Sequence, residues 1–168
     1  MTYILAQICA ILSTAILLVY SVLKVDRKVI VFCNVVINAL LTAHYLLLDD
    51  YVGAVCTAIC TTMVFVFYFK HSSRFLSRTY IPVFFALLLI VCAVCTWTDA
   101  WSIIPLIGNL ILVYALWNDK SDTIKALFII VGVLWIVYNI HLHSIANIIG
   151  QCLAVTCNCI YFFRVRRK

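Results

Sequence analysis

Charge is scarce in this chain: Asp, Glu, Lys and Arg together make up 11% of its 168 residues, and no long apolar run carries one at its middle. That shortage removes the usual makings of a proton relay, a voltage sensor or a charged-substrate site within a membrane. Catalytic spacings are missing as well. There is no G-x-S-x-G, no H-E-x-x-H and no P-loop, so no enzymatic activity and no catalytic residue are expected. His44, His141 and His143 have no carboxylate-rich set of partners, and His141 and His143, two apart, point in different directions from a helix end. No metal, haem or other cofactor is expected.

Apolar residues are abundant: 67% of the chain is hydrophobic and the mean hydropathy is +1.17, far above a soluble domain, where about half the residues are apolar. A bilayer span takes about 20 such residues. The runs 2–23, 29–48, 52–69, 81–97, 101–117, 123–140 and 145–163 therefore read as seven spans of an all-α, multi-pass membrane protein with the lipid bilayer as its surroundings. The nine cysteines all fall inside these runs, where Cys is most often a small packing residue. Cys92 and Cys95 form a C-x-x-C, but on an apolar helix without the βαβ context of a redox motif.

The net charge of +6 would suggest nucleic acid in a soluble protein, but the position of each charge points elsewhere. Lys24, Arg27 and Lys28 follow the first span, and Lys70, Arg74 and Arg78 follow the third. Lys120 and Lys125 flank the turn after the fifth, and Arg164, Arg166, Arg167 and Lys168 close the chain. The alternate turns hold Asp49, Asp50 and Asp99. Because loops rich in Lys and Arg stay cytoplasmic, the N-terminus is expected outside and the C-terminus inside. The first run lacks a basic n-region and is followed by positive charge, so it reads as a retained span and not a cleaved signal. No nucleic-acid partner is expected.

A shift of 94 residues lays Leu12, Leu18, Val19 and Tyr20 on Leu106, Leu112, Val113 and Tyr114, and 66–70 on 160–164. Turns fall on turns, the mark of an internal repeat. The expected organisation is a first three-helix repeat (1–70), a linker with the fourth span (71–100) and a second repeat (101–168). An odd linker span makes the two repeats parallel. The fourth span, with Pro82 in its first turn, is almost featureless and is expected to touch lipid and line no cavity.

Polar residues form stripes on the remaining spans: Gln7, Thr14 and Ser21; Asn34, Asn38 and Thr42, with Tyr45; Gly53, Thr57 and Thr61; Gly132, Trp135 and Asn139; Asn147, Gln151 and Asn158. Pro105 and Gly108 let the fifth span bend and free a carbonyl near residue 101, which places Asn109 to serve either that backbone or a solute. Two readings follow. In the first, Asn34, Asn38, Asn109, Trp135, Asn139, Asn147 and Gln151 meet at a cavity and bind a small neutral polar solute, as in a transporter or facilitator. In the second, the amides hydrogen-bond between helices, each for about 0.6 kcal/mol, in a membrane partner or assembly factor that transports nothing.

Short motifs also carry a family resemblance. Leu5-Ala6-Gln7, His44-Tyr45-Leu46-Leu47 leading to Tyr51 and Gly53-Ala54, Pro105-x-Ile107-Gly108 before Ala115-Leu116, and Trp135 with Asn139, Ser144 and Ile145 resemble the YgjV-like bacterial inner-membrane proteins over nearly the whole chain. The resemblance implies the bacterial inner membrane as location and assigns neither activity nor functional residues. That family is similar in turn to the SWEET and PQ-loop (MtN3-like) transporters, which implies a three-plus-one-plus-three plan around a central cavity. One departure stands out. SWEET transporters carry a helix-bending proline in several core spans, whereas here only Pro105 is comparable and Ile11 stands at the matching place in the first repeat.

Overall fold

The computed structural model describes residues 2–49, 51–97, 100–141 and 145–166, without the side chains of 52, 145–147, 165 and 166. The described residues form seven α-helices: α1 (Thr2–Val22), α2 (Arg27–Leu47), α3 (Tyr51–Tyr68), α4 (Tyr80–Cys95), α5 (Ile103–Trp117), α6 (Ser121–His141) and α7 (Ile145–Arg166). A single 3-10 turn, Ala100–Ser102, precedes α5. Every helix begins and ends within three residues of the run read from the sequence, because charge and turn residues interrupt the apolar pattern at each boundary.

Among the described residues, four segments are long and apolar enough to cross a membrane: Thr2–Val22, Arg27–Leu47, Ala100–Trp117 and Ser121–His141. Gly53–Tyr68, Tyr80–Cys95 and Ile148–Arg164 are further apolar stretches of α3, α4 and α7. Large apolar side chains cover the outside, among them Ile4, Ile11, Phe32, Phe84, Val91, Ile130 and Phe163, while Asn34, Asn38, Asn139 and Asn158 are buried. Such a distribution suits a hydrocarbon surround, which makes apolar exposure costless and polar exposure expensive.

Each helix packs against the next, α7 returns to α1, and α4 sits between α3 and α5. The result is a ring whose consecutive helices run in opposite directions. The tight turn from α2 into α3 is made at Asp49, whose φ of 58° lies in the left-handed region that Asp tolerates better than most residues.

The two ends of the ring differ. At the end bearing the basic turns, Tyr20, Ile30, Val31, Phe67, Phe85, Leu116, Ile124 and Phe128 pack into one core. Rings interlock there: Phe67 meets Trp117 at 5.0 Å and Phe85 at 5.9 Å between centroids. The opposite half is not filled this way, and it holds the cavity.

Two expectations are corrected. Helix α4 does line the cavity, through Leu89 and Ala93, and Ile81, Phe85 and Leu89 are buried while Phe84, Leu87, Val91 and Val94 are exposed. Uniform apolarity hid an inward stripe at helical spacing. Pro105 does not bend the middle of a helix. It lies in the first turn of α5, where its missing N–H would have had no intrahelical acceptor.

Candidate functional site: a polar cavity closed at one end

The cavity measures about 590 Å³ and takes side chains from all seven helices. Its floor is Tyr20 of α1, Asn34 of α2 and Phe128 of α6; its walls rise past Asn38, Thr57, Asn109 and Trp135. Tyr45, Gly53, Thr96 and Ser102 reach its mouth, and all four stand at helix ends remote from the basic turns. Among the described residues, no side chain in the lining is charged. A solute held here is therefore met by their amides, hydroxyls, thiols, aromatic faces and aliphatic groups.

The amides divide by how their hydrogen bonds are spent. Asn34 donates to the carbonyl of Ile30 at 2.9 Å and to the Tyr20 hydroxyl at 3.2 Å. Asn38 donates to Asn34 O at 2.8 Å, Asn139 to Trp135 O at 2.7 Å, and Asn158 to Ala154 O at 3.0 Å and Ser21 Oγ at 3.3 Å. These NH2 groups each bond back one turn on their own helix, a local side-chain-to-backbone pattern. Asn158 Oδ1 is buried without a donor. Asn109 and Gln151 line the same cavity, and among the described residues their side chains make no hydrogen bond at all.

Hydroxyls complete the wall. Thr42 bonds Thr57 at 3.1 Å, and each also returns a bond to its own helix, at Asn38 O and Gly53 O. Close approach of α6 and α7 beside the cavity depends on Gly132: a Cβ there would fall 2.4 Å from Val155 Cγ2. A Cβ on Gly108 would meet the Trp135 indole nitrogen at 3.5 Å, an ordinary contact, but in the lining.

Of the residues expected to bind solute, Asn34, Asn38, Asn109, Trp135, Asn139 and Gln151 all line this one cavity. The side chain of Asn147 lies outside the described residues, as do His143, Ser144, Asp50, Asp99, Arg167 and Lys168. Sequence reading left out Tyr20, Ser13, Tyr138 and Asn158, the α4 residues Leu89 and Ala93, and Thr96, which follows α4. Asn158 was legible as part of the stripe with Gln151. Tyr20 was not, since a tyrosine at a span end reads as an interfacial anchor. Of the histidines, His44 Nδ1 lies 2.8 Å from the carbonyl of Ala6, and His141 stacks on Trp101 at 4.5 Å. Among the described residues no three His, Cys or Asp side chains are grouped to hold a metal.

Two cations close the floor from below. Arg27, 7% exposed, donates through Nε to Asn118 O at 2.8 Å and through Nη2 to Phe67 O and Leu116 O, both at 3.1 Å. Lys125 is fully buried, where the sequence suggested a residue flanking a turn. It donates to Ser21 O at 3.3 Å and to Leu23 O, and lies 3.5 Å from the centroid of the Tyr161 ring. Helix C-termini present unbonded carbonyls and partial negative charge, so each cation satisfies both. Nearby, Asp119 accepts from Lys70 at 2.8 Å and contacts His71 at 3.0 Å and Arg27 at 3.6 Å. Its slight burial pushes the carboxyl up, but the bonds and charges of Lys70 and His71 outweigh this and hold it below the usual aspartate value.

A family model describing bacterial inner membrane proteins, Imp-YgjV, matches residues 4–168, and the chain belongs to that family. No curated protein and no solved structure matches it.

Proposed function

For a bacterial inner membrane protein of the Imp-YgjV family, we propose transport or facilitated passage of a small neutral polar solute through the central cavity. The observation that carries this reading is the lining itself: about 590 Å³, reached by all seven helices, uncharged among the described residues, with the amides of Asn109 and Gln151 uncommitted there. Bracing alone fits less well. Asn38 and Asn139 bond within their own helices, so they do not tie neighbours together. Among the described residues, the amides that bond across to another helix are Asn34, to Tyr20, and Asn158, to Ser21.

We further propose seven spans with the basic turns in the cytoplasm, and a SWEET-like duplication of α1–α3 as α5–α7. The contacts favour the duplication: α1 meets α7, while α4 fills the equivalent seam between α3 and α5. In that orientation the cavity opens outward and is shut toward the cytoplasm by the Tyr20, Phe67, Leu116 and Phe128 core. Passage then requires this core to part.

Counterflow in proteoliposomes tests the reading. Vesicles loaded with a mixture of unlabelled neutral polyols, monosaccharides and nucleosides should accumulate at least one labelled member faster than protein-free vesicles. Equal rates for every member of the mixture would favour the non-transporting reading.

A further inference from the structure

Two of the nine cysteines meet across a helix seam. Cys56 of α3 and Cys92 of α4 place their sulfurs 3.3 Å apart. A disulfide holds its sulfurs about 2.05 Å apart, so this pair is already in contact and short only of bonding distance. The C-x-x-C partner suggested by the sequence is not the neighbour: Cys95 is exposed on the lipid-facing side. Cys56 also lines the cavity, so a small polar oxidant entering there reaches it first, with Cys92 directly behind.

We propose that Cys56 and Cys92 are a peroxide-oxidisable pair that closes to a disulfide and fastens α4 to α3 beside the cavity. The oxidant is a hydroperoxide, small and uncharged enough for this lining. The Cys56 sulfur attacks one peroxide oxygen, the O–O bond breaks, and a sulfenic acid forms while the thiol proton leaves with the other oxygen, as water when the peroxide is hydrogen peroxide. The Cys92 sulfur then attacks the sulfenic sulfur, an S–S bond replaces the S–O bond, and the hydroxyl departs as a second water with the Cys92 proton. Two thiols are oxidised by two electrons and one peroxide is reduced to two waters. The bond would hold α4, which contributes Leu89 and Ala93 to the lining, against the α3 wall of Thr57 and Cys60. The inference does not depend on which solute uses the cavity.

Peptide mapping of the full chain in micelles, treated with hydrogen peroxide and then blocked with N-ethylmaleimide, tests the pair. The expected product has lost two hydrogen atoms, about 2 Da, and contains a Cys56–Cys92 linked peptide that reduction separates. Cys95→Ser should leave the link intact, and Cys92→Ser should remove it while dimedone now labels Cys56. Should peroxide join Cys92 to Cys95 or Cys60 instead, or oxidise other cysteines while Cys56 and Cys92 both remain alkylatable, the proposal is overturned. The wild-type map decides this even if a variant folds poorly.

Discussion

Arg27 and Lys125 serve each other's half of the ring: Arg27, the first residue of α2, donates to the last carbonyls of α5, and Lys125, near the start of α6, donates to the last carbonyls of α1. Each buried cation satisfies helix-end carbonyls that would otherwise be orphaned, and orphaning costs about 1–3 kcal/mol per group. Arg27→Met and Lys125→Met should each destabilise the protein by about 2–5 kcal/mol, in the range for breaking a buried charged contact. Thermal unfolding in micelles reads this as a fall of several degrees at a minimum. Unchanged melting of either variant would mean that these carbonyls find other partners.

Gly132 is required by α7. Adding a methyl there drives it into Val155 Cγ2 at 2.4 Å, and overpacking of this kind costs about 1–3 kcal/mol. Gly132→Ala should therefore lower the melting temperature, and Val155→Ala in the same chain should restore most of the loss. If the double variant melts lower than either single one, the two residues do not conflict as described.

Helix boundaries were legible because Lys24, Asp49, Lys70 and Asn118 interrupt otherwise unbroken apolar runs, and the amide stripes were legible because helical spacing fixes a face. What stayed hidden depends on distance through space. Leu89 reads identically whether it meets lipid or a cavity wall. A lysine four residues into α6 reads as interfacial until the carbonyls of Ser21 and Leu23, more than 100 positions away in sequence, are seen to surround it. Cys92 has a nearer sequence partner in Cys95, but the fold turns it toward Cys56.

Helix α4 should therefore behave as a two-sided element. In a cysteine-free background, a polar thiol reagent should label Ala93→Cys, which lines the cavity, far faster than Phe84→Cys, which is exposed toward the apolar surround. Equal and slow labelling would return α4 to the role of a purely lipid-facing linker.

Acid should loosen the basic end through Asp119. Its carboxyl is held below the ordinary aspartate value of about 3.9, so its hydrogen bond and charge contact with Lys70 are fully present above that pH. They are lost as the pH falls through the lower folded value. The side chain is 58% exposed, so the effect is small. A melting series between about pH 6 and pH 3 should show a fall below about pH 4 that is shallower in Asp119→Asn. An identical slope in both proteins would place the acid sensitivity elsewhere.

The central claim is that the uncommitted amides of Asn109 and Gln151 recognise a neutral polar solute. The most direct measurement is a thermal-shift series of the purified protein and of Asn109→Ala and Gln151→Ala against neutral polyols, monosaccharides, nucleosides and uncharged vitamins, since a ligand raises the melting temperature of what it binds. At least one solute should stabilise the wild type, and both variants should lose that shift while melting within a few degrees of the wild type when unliganded. If no solute shifts the wild type, or if the shift survives in both variants, the cavity is not the recognition site described here.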